Sequence, residues 1–114
     1  FLRESPAYKP VDNIVTNPPY KLIDPFIERA MEIVRHKAAF LMRLAALEGM
    51  KRHDRIYARF PLARIHVFSN RISMPPGGRG IEAKGGAVAF CWMVFDKSHK
   101  GPPTVNWIRA KWNK

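Results

Sequence analysis

Residues 14–20, Ile14-Val15-Thr16-Asn17-Pro18-Pro19-Tyr20, restrict the fold more than any other stretch of the chain. A β-branched run reads as a strand, and a double proline must end it, because proline has no N–H to give a sheet ladder. The pattern predicts a buried strand with Asn17 at its carboxyl tip, where open α/β sheets bind their ligands. Asp24-Pro25 then reads as a helix cap followed by proline at the first helical position. Phe26, Ile27, Ala30, Met31 and Val34 recur with the helical period, while Glu28, Arg29, Glu32 and Arg35 form the opposite, solvated face. Ala38 to Met42 is a second short apolar strand. Strand, helix and strand at this spacing predict a right-handed βαβ unit with parallel strands, and hence an α/β fold.

The turn has its own chemistry. The Asn17 amide oxygen and the Pro18 carbonyl are two acceptors on a backbone that cannot relax. Together they can take both hydrogens of a planar exocyclic amine and aim its lone pair. Tyr20 offers an aromatic face for the attached heterocycle, as pockets for flipped bases require. The plainer reading is a strand terminator beside an ordinary half-buried aromatic.

Lys and Arg number 20 against 9 acids in 114 residues, a formal charge of +11. That excess favours a polyanionic partner, most simply nucleic acid, over a merely solubilising surface. A 46% hydrophobic content excludes disorder as the reason for the charges. The single cysteine, Cys91, excludes an internal disulfide and reads as a small buried hydrophobe. With no signal peptide and no long apolar span, a soluble, cytoplasmic protein with no membrane partner is expected.

Leu44 to Phe60 reads as a second helix ending before Pro61. Its basic cluster Lys51-Arg52-His53, followed by Arg55, Arg59 and Arg64, forms the densest positive run in the first half. Both a solvated helix face and contacts to a phosphate backbone are consistent with it. Ile65 to Phe68 is a third strand. Ser69 to Gly86, rich in glycine and proline, lacks the spacing of a phosphate-binding P-loop and suits a substrate-facing loop carrying Arg71, Arg79 and Lys84. Ala87 to Phe95 is a buried strand, antiparallel to its predecessor in a long hairpin. The tail with Trp107, Arg109, Lys111, Trp112 and Lys114 is basic and aromatic, and either packs back or contacts a nucleic-acid strand. His36, His53, His66 and His99 have no metal-ligand spacing, so no metal site is expected.

Asp12-Asn13-Ile14-Val15-Thr16-Asn17-Pro18-Pro19-Tyr20 resembles motif IV of the S-adenosylmethionine-dependent N6-adenine DNA methyltransferases. Phe40 to Arg52 and the loop hairpin resemble phage and prophage members more loosely. The resemblance runs from Asp12 to Phe95 and implies a partial Rossmann-like methyltransferase sheet. Its order is strand-helix-strand-helix-strand-strand, with the last strand inserted antiparallel between its neighbours. It implies that Asn17, Pro18, Pro19 and Tyr20 are catalytic. DNA is then the partner, held through Lys21, Lys51, Arg52, Arg71, Arg79 and Lys84.

In that family S-adenosylmethionine sits on a glycine-rich turn and an acidic residue that precede motif IV, and only 16 residues precede Asn17 here. Residues 1–114 are therefore expected to be one domain without the cofactor-binding amino-terminal half, inactive alone. The first strand would then present a bare apolar edge, which a second copy of the chain could cover as a homodimer. Related turns also mark enzymes acting on adenine in RNA or on protein glutamine. A non-catalytic basic module that binds nucleic acid is the alternative of another class.

Overall fold

The computed structural model of the chain describes residues 9–69 and 89–109. They form a five-stranded mixed sheet in the order β1-β2-β4-β3-β5, an α/β arrangement. The strands are β1 (Val11–Thr16), β2 (Val34–Arg43), β3 (Leu62–Phe68), β4 (Phe90–Asp96) and β5 (Thr104–Ile108). β1 and β2 pair in parallel around helix α1 (Ile23–Ile33), the predicted strand-helix-strand unit. β4 lies antiparallel between β2 and β3. β5 pairs in parallel with β3, so only β4 runs against the other four. The carboxyl ends of β1, β2, β3 and β5 therefore share one edge of the sheet.

The core lies on one face. Ala38, Phe40 and Met42 of β2 and Cys91, Met93 and Phe95 of β4 are buried with Ile23, Ile27, Ala30 and Met31 of α1. Phe40 and Phe95 meet edge to face, 5.8 Å between ring centres. Cys91 is fully buried among these side chains, as its apolar setting predicts, and burial pushes its thiol up to about 11.

Three local features of the β1–α1–β2 unit depart from the sequence reading. β1 is not a buried strand. It is one of the two edges among the described strands, and Val15, on the face turned away from α1, is 71% exposed. Asp24 does not cap α1. Leu22 stands at the cap position, Asp24 falls in the first turn, and its carboxylate goes to Arg52 instead. Val34 and Arg35 belong to β2, which starts directly where α1 ends and runs for ten residues. Asn13 Oδ1 accepts the Lys37 N–H (3.1 Å) where the β1–β2 register shifts by one residue.

Leu44 to Phe60 is not one helix. A 3-10 turn (Leu44–Leu47), a single α turn (Met50–Arg52) and a π turn (His53–Tyr57) replace it. Gly49, at φ +124°, separates the first from the second, a backbone that side-chain-bearing residues rarely adopt. The π turn is closed by Ala58 N–H to the His53 carbonyl (2.8 Å), and it sets Ile56 into the core. It also aims the Tyr57 hydroxyl at the Ala46 carbonyl (2.7 Å), and the same burial raises the phenol well above its ordinary range.

β5 was not expected as a strand at all. It is reached by a connection across the start of β3. Asp96 accepts the Ser98 N–H (3.0 Å) and hydroxyl (2.8 Å) to start that connection, and these bonds hold its carboxyl below the usual range. No helix among the described residues is long and apolar enough to cross a membrane.

Candidate functional site

Asn17 follows the last residue of β1, at the edge shared by the carboxyl ends of four strands. Its amide is exposed and takes no hydrogen bond among the described residues. Pro18 is buried and anchors the turn. The next turn, a 3-10 segment from Tyr20 to Leu22, closes through Leu22 N–H to the Pro19 carbonyl at 3.0 Å. That bond engages the carbonyl of Pro19, not that of Pro18. Tyr20 is 50% exposed, so an aromatic ring stands in solvent next to a free amide. The turn thus presents an unpaired amide and a half-exposed aromatic ring three residues apart, on a backbone that its prolines restrict.

A third group joins them that the sequence reading missed. The guanidinium of Arg43, the last residue of β2, lies over the Tyr20 ring, 4.5 Å from its centre. The parallel pairing of β1 and β2 brings the two strand ends together. The available signal was an arginine closing a strand parallel to the one that ends in Asn17.

The expected basic residues separate into two groups. Lys21 and Lys51 are exposed and face no carboxylate among the described residues. Arg52 is committed within the chain, with Nε 2.8 Å from Asp24 Oδ1 and Nη1 3.5 Å from the Ala46 carbonyl. Arg71, Arg79 and Lys84 lie outside the described residues.

The rest of the dense positive run is also spent on internal pairs. Arg55 donates twice to Glu28 (2.9 and 2.7 Å), and Arg59 donates once to it (3.1 Å). The Arg55 hydrogen bonds in particular hold the Glu28 carboxyl below its ordinary range. Arg64 stands 3.6 Å from Asp96. Arg29 and Arg35 face Glu32 and Asp12. Among the described arginines only Arg43 and Arg109 lack a carboxylate partner. Arg43 closes β2 and Arg109 follows β5, two strands that end at the Asn17 edge.

A cavity of about 660 Å³ lies elsewhere, lined by Tyr57, Phe60, Leu62, His99 and Pro102 among others. A second, of about 390 Å³, lies at the opposite edge between the start of β2 and the end of β4. Neither includes a residue of the Asn17 turn. Among the described residues no three His, Cys, Asp or Glu side chains come together to hold a metal ion. In comparisons with known proteins, no family model matches the chain, and no curated protein does.

Proposed function

We propose that this chain carries the target-base half of an S-adenosylmethionine-dependent N6-adenine DNA methyltransferase site. The observation that carries the reading is the Asn17-Pro18-Pro19-Tyr20 turn at the carboxyl tip of a parallel strand, with a free amide beside a half-exposed ring. The antiparallel insertion of β4 between β2 and β3 adds support, because the resemblance implies that strand arrangement. In this reading an extruded adenine stacks on Tyr20. Asn17 Oδ1 and the Pro18 carbonyl accept the two hydrogens of its N6 amine and orient the nitrogen lone pair.

The described residues do not fit the cofactor itself. Among the described residues, none of the strands that end at this edge closes on an acidic residue, and no glycine-rich turn adjoins Asn17. The role proposed for this chain is therefore recognition and orientation of the base.

The test is discrimination by the exocyclic amine. A single-stranded oligonucleotide with one central adenine is compared with the same strand carrying purine, which lacks the amine. A site built to hydrogen-bond the amine prefers adenine by at least about tenfold. Asn17→Ala should erase the preference while leaving the salt dependence of binding unchanged. Equal affinity for the two strands, or a preference that survives Asn17→Ala, refutes the reading in favour of a non-catalytic basic module. The RNA version of the strand tests the substrate class through the 2′-hydroxyl.

A further inference from the structure

We infer that Arg43 is a positioning residue that binds the phosphate next to the base held on Tyr20 while it fixes the Tyr20 ring. The inference rests on the reading that Tyr20 receives a base, and it adds a residue and a ligand group that the motif does not contain. Three observations carry it. The Arg43 guanidinium stacks on Tyr20 at 4.5 Å. Arg43 faces no carboxylate, in a structure that pairs six of the eight described arginines. Its backbone is held on the sheet, since it pairs with Phe90 and the next N–H, of Leu44, bonds the Ala89 carbonyl at 2.8 Å.

The chemistry of guanidinium makes the two roles compatible. Stacking uses its flat face, whereas its five N–H donors lie in the plane and point outward. An arginine on a tyrosine ring can therefore still bind a phosphate in a bidentate way. The ring remains half exposed with the guanidinium on it, which leaves area for the base. A nucleotide offers the matching pair of groups, a flat heterocycle and an anion a few ångströms away. A lysine at position 43 could attract the phosphate but could not hold the ring by stacking.

The experiment uses the 114-residue chain and a single-stranded pentanucleotide with 8-vinyladenine, a fluorescent base that keeps the 6-amine, at its centre. Two quantities are read against salt concentration: affinity, and quenching of the 8-vinyladenine on binding. Arg43→Ala should lower affinity about tenfold at low salt and reduce the slope of log affinity against log salt by about 0.7, one phosphate contact. Arg43→Lys should restore the slope but not the full quenching. Tyr20→Ala should abolish the quenching and leave the slope intact. An unchanged slope in Arg43→Ala, with quenching still lost in Tyr20→Ala, overturns the role of Arg43 alone. Quenching that survives Tyr20→Ala overturns the reading of Tyr20 as the base platform. Absence of saturable binding by the unmodified chain at low salt overturns both.

Discussion

Asp24→Asn separates what the first turn of α1 looks like from what it does. If Asp24 capped the helix, asparagine would serve almost equally well, because the two are near the top of the capping scale. The structure gives Asp24 another task. Its carboxylate meets Arg52 at 2.8 Å, with the two side chains 19% and 24% exposed, and Arg55 Nη1 stands 4.0 Å away. An exposed pair of this kind contributes ~0.2–1 kcal/mol, and breaking a fully buried one costs ~3–5 kcal/mol. A pair about one-fifth exposed falls between, and the loss on Asp24→Asn should be about 1–2 kcal/mol.

With ~2 kcal/mol lost per molar urea in a small domain, the unfolding midpoint should drop by ~0.5–1 M. Arg52→Met, which keeps most of the stem, should cost a similar amount, and the double variant little more than either single one. The same Arg52→Met protein should bind DNA with an unchanged salt slope, whereas a phosphate ligand would lose ~0.9 of slope on duplex DNA. A midpoint for Asp24→Asn equal to that of the unmodified chain, or a reduced slope for Arg52→Met, refutes the structural assignment. Arg52 would then return to the list of nucleic-acid ligands.

Acid should weaken the fold through two other carboxylates. Glu28 is held below its ordinary range first by Arg55, and Asp96 first by the Ser98 N–H. Both are depressed in the folded state, so their contribution is complete above the unfolded carboxylate range and is lost as pH falls through the folded values. The urea midpoint should fall between about pH 6 and pH 3, and less steeply in Glu28→Gln; a midpoint flat across that range contradicts the assignment. The Cys91 thiol, buried and pushed up to about 11, should not react with a disulfide reagent near pH 8 in the native chain. It should react stoichiometrically in urea, and rapid native labelling would show that the β4 face of the core opens.

What could be read from the sequence follows the range over which each signal acts. The β1–α1–β2 unit was legible because its signals lie within a few residues of one another: a β-branched run, a double proline, then Ile27, Ala30 and Met31 at helical spacing. Asp24 was misread because Asp-Pro is a local capping signal, while its partner Arg52 lies 28 residues along the chain. The helix expected over Leu44 to Phe60 failed at Gly49, whose positive φ a propensity count treats only as a weak spot. β5 was invisible because Thr104–Ile108 is short and exposed, and takes its strand geometry from pairing with β3. The Asn17 turn was legible as a motif, but Arg43 was not. Its contact with Tyr20 exists because two strands pair in parallel, which no local window contains.

The net charge needs the same distinction. A total of +11 argues for a polyanion but does not say where one would lie. By density along the chain the contact belongs to the run from Lys51 to Arg64. In the fold, Asp24, Glu28 and Asp96 draw Arg52, Arg55, Arg59 and Arg64 into pairs that join the π turn and β3 to the rest of the core. Each such pair places an acid beside the cation, and the field of the run is largely cancelled at the distance of an approaching phosphate. The cations left uncompensated include Lys21, Arg43 and Arg109, and all three stand at or just past the ends of the strands that also present Asn17. Pairing therefore neutralises the arginines of the most basic stretch and leaves those at the edge where the turn stands, Arg43 and Arg109, uncompensated. A polyanion drawn to that edge arrives with its bases next to Tyr20 and the free amide of Asn17.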